Sequence, residues 1–214
     1  MNIHSIYRTI GPIFRNRRFR WFRERIQPQA SETILDVGGF ADTWVPHEPC
    51  ANRIDILNIH EVPCSDAVTA SHGIHTLIGD GTALEMADAS YDVVFSNSVI
   101  EHVGDYATQQ RFAAELRRVG KRIWVQTPAR SFFIEPHYIA PFIHWFPKSV
   151  QKKLIRNFTV RGWMTRPSPE TVQGMIDEIR LISKKEFQEL FPDCEILNER
   201  FLGIFVKSYV AFRV

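Results

Sequence analysis

Four short apolar runs in the first half of the chain each end in glycine or a polar residue, and this recurrence narrows the fold more than any other feature of the sequence. Thr33 to Val37 runs into Gly38-Gly39, and Arg53 to Leu57 into Asn58. Ile74 to Ile78 runs into Gly79-Asp80-Gly81, and Tyr91 to Phe95 into Ser96-Asn97. Runs this short, bounded by turn residues, read as buried strands. A fifth, Arg122 to Gln126, follows a stretch from Asp105 to Val119 in which Phe112, Leu116 and Val119 fall on one helical face and Gly120 marks the stop. Ser183 to Glu186 has the form of a capping box, with Phe187, Leu190 and Phe191 behind it. Cys194 to Leu197 and Val206 to Phe212 supply two last strands, which their connection through Gly203 allows to be antiparallel. Strands alternating with crossovers imply an α/β fold with a mostly parallel, covered sheet.

At 214 residues the chain suits one domain with a modest cap. The expected division is a basic amphipathic segment over 1–30 and a main domain over 31–214, with a cap inserted at about 128–180. The first segment carries Arg8, Arg15, Arg17, Arg18, Arg20, Arg23 and Arg25 against Glu24, and its helical pattern is expected to break near Gly11-Pro12. The inserted stretch holds His137, His144, Trp145, Trp163 and several prolines, and it interrupts the strand–helix alternation. A net charge of +2 argues against a dedicated nucleic-acid binder. Cys50, Cys64 and Cys194 are scattered, as reduced thiols in a cytoplasmic protein would be. No run of about 18 apolar residues suggests a membrane span, and no secretory signal is recognised.

Open parallel sheets bind ligands beyond the carboxyl ends of their strands, so the residues at those ends are the candidates. Gly38 and Gly39 let a ligand approach the backbone, although two glycines serve an ordinary tight turn equally well. Asp36 can accept from a ligand amine or hold the turn itself. A ribose diol needs an acceptor at the second strand end. Asp55 is the better acceptor chemically, while Asn58 is better placed, and alternation keeps the two from pointing the same way. Asp80 with Gly81 suits the exocyclic amine of adenine.

Taken in order, ILDVGG (34–39), GDGTALEMADASYDVVFSNSVIEHV (79–103) and RIWVQTPAR (122–130) resemble class I S-adenosylmethionine-dependent methyltransferases of the broad type-11 group. IEPHYIAPFIHWFP (134–147) and ERFLGIFVKSYVAF (199–212) are similar to a bacterial small-molecule- and glycan-associated subgroup. The resemblance covers roughly residues 31 to 212. It implies a Rossmann-like seven-stranded sheet whose last strand is reversed. It also implies that Asp36, Gly38 and Gly39 serve the methionine end of the cofactor, Asn58 or Asp55 the ribose, and Asp80 with Gly81 the adenine. Ser96 and Asn97 would line the cofactor near its methyl group. The usual glycine-rich loop alternates glycine with other residues, whereas Phe40-Ala41-Asp42 follows here and narrows the space.

Methyl transfer to a hydroxyl needs in-line alignment and a way to remove a proton. His102 lies at the expected mouth of the site, and His137, close to Glu135, lies in the cap; both are candidates for that work. Glu135 with His144 has no recognised ligand rhythm, so no metal is expected. Phe132, Phe133, Phe142, Trp145 and Phe146 stand near Lys148, Lys152, Lys153 and Arg156, which suggests either an aromatic lid or peripheral contact with anionic lipid, against the commoner outcome of simple packing. The expected acceptor is a small molecule, a glycan or a lipid-linked group, methylated on oxygen. The competing reading is a methyltransferase-like binding protein without turnover.

Overall fold

A computed structural model describes residues 3–214, with side chains from Phe14 onward. Seven strands form one sheet in the order β3-β2-β1-β4-β5-β9-β8. They are β1 (Thr33–Val37), β2 (Arg53–Asn58), β3 (Ile74–Ile78), β4 (Tyr91–Asn97), β5 (Gly120–Pro128), β8 (Glu195–Phe201) and β9 (Phe205–Arg213). The first five are parallel, while β9 runs antiparallel to both β5 and β8. This is the reversed final hairpin that the sequence leads one to expect. Its tip carries Gly203 at φ +74°, a conformation that glycine adopts without penalty.

Alternation along the strands divides the core into two layers. Leu35, Val37, Val94 and Ile123 face α3 (Tyr106–Val119) and α7 (Lys184–Leu190), which contribute Phe112, Leu116, Phe187 and Leu190. Asp105 caps α3 by accepting from the Thr108 amide at 2.8 Å, and α7 opens with the capping box of Ser183 and Glu186. The opposite face carries Ile34, Ile54, Val93, Phe95 and Trp124. Here the crossover helix expected between β1 and β2 is missing, because Pro46 and Pro49 leave only a 3₁₀ turn over Ala41–Thr43.

The long helix α1 (Ile3–Ile26) fills that gap. Its backbone is helical through Gly11-Pro12, so the expected break does not occur. Phe22 is fully buried and meets Trp44, Phe95 and Trp124 edge-on, with centroids 5.9, 5.2 and 5.8 Å away. Edge-to-face contacts of this kind add roughly 0.5–1.5 kcal/mol each beyond the area they bury. Phe19 and Phe22 of α1 are therefore core, and Arg15, Arg20, Arg23 and Arg25 are exposed.

Between β5 and β8 the chain builds a cap. A two-stranded hairpin, β6 (Ile134–Glu135) with β7 (Ala140–Pro141), leads to α4 (Lys148–Phe158), α5 (Val160–Thr165) and α6 (Pro169–Glu178). Tyr138, Ile143, Ile155, Val172 and Ile176 give the cap a small core of its own. A short helix, α2 (Asp66–His72), joins β2 to β3. Among the described residues no helix is long and apolar enough to cross a membrane.

Candidate active site

The carboxyl ends of β1, β2 and β3 open onto a cleft of about 770 Å³ whose walls include Gly38, Asn58, Asp80, Gly81, Ser98 and His102. Phe40 stands at its rim, 56 % exposed, and does not fill it. Asp42 lines a different cavity, against α1. The glycines are fixed by geometry. Gly38 has φ +78°, and a Cβ there would lie 2.6 Å from the Val99 methyls. A Cβ on Gly81 would lie 2.6 Å from the Phe112 ring. Any side chain at either position would force the cleft wall to move.

Two acceptors follow along the rim. Asn58 donates its amide to the Gly39 carbonyl at 2.8 Å, which ties the second strand end to the first loop and does not use the amide oxygen. Asp80 accepts from the amide and the hydroxyl of Thr82, both at 2.8 Å. These bonds hold its carboxyl below the usual aspartate value, so it is a carboxylate at neutral pH.

Other candidates lie elsewhere. Asp36 is fully buried beneath the loop, where a Cβ on Gly39 would collide with its carboxyl group. One of its oxygens accepts from Trp44 Nε1 at 2.8 Å and the other has no hydrogen-bond partner. Burial pushes its pKa up to about 7. Asp36 thus shapes the turn from below and does not line the cleft. Asp55 sits at the amino end of the sheet, receiving Arg53 Nε at 2.8 Å and the Tyr91 hydroxyl at 2.7 Å. It is out of reach of the cleft, which leaves Asn58 at the second strand end. Ser96 is buried and donates to the Val37 carbonyl at 3.0 Å. Asn97 opens onto cavities on the α1 side. Ser98 and Val99 line the cleft in place of Ser96 and Asn97. Ser98 adopts φ +59°, and this left-handed step turns the chain out of the strand, while alternation within it sends Ser96 and Asn97 to opposite faces.

Beyond the cleft the structure brings both candidate histidines together. The His102 and His137 rings pack edge to face with centroids 4.9 Å apart. Fully buried Glu135 meets His137 Nδ1 at 2.6 Å. Burial alone would pull the His137 pKa down, but Glu135 and Glu101 together hold it above the ordinary histidine value. His102 is held below that value, first by burial and then by the neighbouring His137.

Glu101 went unnoticed in the sequence. It is fully buried, accepts from the Thr127 hydroxyl at 3.0 Å, and is pushed up to about 7 by burial. Buried Gln109 fixes its loop by bonding the Ile100 carbonyl at 2.9 Å, while the Arg180 amide bonds the Glu101 carbonyl at 2.8 Å. The signal available was its place beside His102 just past a strand end. A second cavity adjoins His137 and is lined by Arg15, Arg18, Asn97, Gln126 and Lys207.

Residues 50–122 match the family model described as a methyltransferase domain. Over these residues, about a third of its length, the chain is similar to methyltransferase domains. S-adenosylmethionine is the cofactor of such domains. Solved structures agree in fold. The N-methyltransferase NodS from Bradyrhizobium japonicum WM9, in complex with S-adenosylhomocysteine, is 11% identical with a TM-score of 0.57, over 94% of this chain and 86% of that one. The 1,6-didemethyltoxoflavin-N1-methyltransferase of Burkholderia thailandensis is 9% identical with a TM-score of 0.57, over 92% and 76%. The YcgJ protein of Bacillus subtilis is 14% identical with a TM-score of 0.53, over 86% and 71%. No curated protein matches the sequence. The cleft lies at the sheet edge where ligands of open α/β folds bind.

Proposed function

We propose that this protein is a methyltransferase that acts on a hydroxyl of a small-molecule, glycan or lipid-linked acceptor, with cofactor in the glycine-lined cleft and acceptor in the cavity beside His137. The observation that carries this reading is the adjacency of the two spaces, with His102 lining the first and His137 the second. The cleft fits the cofactor: Gly38 and Gly81 clear the backbone, and Asn58 and Asp80 follow as acceptors. Gly38 and Gly39 are assigned to the methionine end, Asn58 to the ribose, and Asp80 with Gly81 to the adenine. Bound there, S-adenosylmethionine would supply an activated sulfonium methyl for an acceptor oxygen, with the C–S electron pair left on sulfur.

The protein's own part is placement and proton handling. Glu135 occupies His137 Nδ1, which leaves Nε2 to take the hydroxyl proton. His102, packed against that ring, positions it. Arg15, Arg18 and Lys207 around the same cavity favour an acceptor with an acidic group. The cap leaves Phe142, Trp145 and Phe146 about half exposed beside Lys148, which supports contact with an anionic lipid surface. Sedimentation with anionic vesicles should carry the protein into the pellet, and a protein that stays in the supernatant removes that part.

Calorimetry with S-adenosylhomocysteine, followed by labelled methyl transfer across a panel of hydroxylated acceptors, tests the main reading. Binding followed by transfer supports it. No binding defeats it, and binding with no transfer to any acceptor favours a binding protein without turnover.

A further inference from the structure

We propose that Glu101, His102 and His137 form a site for one divalent transition cation, with zinc the best match. The candidate ligand atoms of these three side chains lie within 4.8 Å of one another, the one such cluster among the described residues. Zinc binds imidazole nitrogen and carboxylate oxygen at roughly 2.0–2.2 Å, so the three groups need to draw in by about an ångström. Two imidazoles and one carboxylate make a donor set that suits zinc, iron or manganese and leaves positions open for other ligands.

Three further observations show a built site. First, Glu101 Oε1 is buried and has no hydrogen-bond partner, although Oε2 is held by Thr127. A buried carboxylate oxygen left unpaired is costly, and a cation would satisfy it. Second, His102 Nδ1 is also buried without a hydrogen-bond partner; its nearest acid, Glu178, is 3.6 Å away. Third, Glu135 grips His137 Nδ1 at 2.6 Å, and its other oxygen accepts from the Tyr138 amide at 2.6 Å. A carboxylate behind a histidine is the usual support for a metal ligand, because it fixes the tautomer and leaves Nε2 for the ion.

The placement suggests the use. His102 borders the cofactor cleft and His137 the adjoining cavity, so the open positions of the ion would lie where the two spaces meet. This use, though not the binding itself, rests on the function proposed above. A hydroxyl held at the ion would give up its proton to water, and His137 would then act as a ligand in place of a base.

The test is zinc binding to the whole chain after stripping with a chelator, followed by calorimetry. One equivalent should bind. Glu101→Gln, His102→Ala and His137→Ala should each weaken affinity by at least ~10-fold, and Glu135→Gln by a similar factor. Circular dichroism checks that each variant is folded, and S-adenosylhomocysteine binding does so again for those other than His102→Ala, whose residue lines the cofactor cleft. Should the variants fail to fold, ring-nitrogen spectra of the wild-type protein decide, since zinc should move the signals of two of its eight histidines. No stoichiometric binding, undiminished affinity in folded Glu101→Gln and His137→Ala, or unmoved histidine signals overturns the site. Absent zinc binding together with retained cofactor binding and methyl transfer would remove this inference and leave the proposed function standing.

Discussion

Asp36 joins the sequence to the site through a buried carboxyl group. Its pKa is raised from 3.8 to about 7, so the folded state favours the neutral form. The sign follows directly: the unfolded chain releases this proton at lower pH than the folded one, so the contribution of Asp36 to stability is greatest below about pH 4 and declines until the pH passes 7. Asn at this position keeps an acceptor for Trp44 and cannot ionise. Urea melts of Asp36→Asn should show a shallower loss of stability over that window, and an unchanged slope would exclude Asp36 as its source. At the other end of the site, His137→Ala should lower turnover by about 100-fold or more while leaving S-adenosylhomocysteine affinity within a few-fold. A variant with full turnover would take His137 out of the proton path. The residue scale is also where the sequence was hardest to read. Gly38, Asn58, Asp80, Gly81 and His102 could be placed at the cleft because a strand end has a known direction. Asp36 could not, because whether a carboxylate points up into the cleft or down onto Trp44 depends on a neighbour eight residues away. Glu101 escaped because nothing in one sequence marks a glutamate as fully buried.

The strands were legible as elements, since each is an apolar run closed by turn residues, and α3 and α7 carried their own capping signals. The role of α1 was not. Its arginines marked a basic amphipathic segment set apart from the main domain, yet the sheet face it covers is one that a crossover helix would cover if Pro46 and Pro49 did not prevent it. Phe22 is the anchor of that substitution. Phe22→Ala should destabilise the protein by roughly 3–5 kcal/mol in a denaturant melt, the range for losing a fully buried aromatic side chain. A loss below about 1 kcal/mol would mean that α1 is held to the sheet by its ion pairs, such as Arg17 with Glu199 at 3.0 Å, more than by its aromatic face.

Across the whole molecule the net charge of +2 conceals an uneven distribution. Arg17, Arg18 and Lys207 all lie within 3.9 Å of the single buried carboxylate of Glu199, and Arg15 joins Arg18 and Lys207 at the cavity beside His137. Glu199, with buried Glu101 acting on Arg18, leaves these cations in excess, and an acidic group on the acceptor would complete the set. Burial pulls the Lys207 pKa down to about 8, which makes this field titratable in an accessible range. Below that value Lys207 is charged and the proposed preference for acidic acceptors would be at its full strength; as the pH rises through it, the charge and part of that preference would be lost. Comparing matched acidic and neutral hydroxylated acceptors, Arg15→Ala should raise KM for the acidic one by about 10-fold, with little change in kcat or in cofactor affinity, because a lost charge-assisted contact is worth roughly 1.5–3 kcal/mol. Lys207→Gln should flatten the pH dependence of the acidic-to-neutral ratio near 8. A ratio that stays fixed in both variants would mean the cavity's charge serves the packing of α1 on the sheet alone, and the acceptor would then be a neutral molecule.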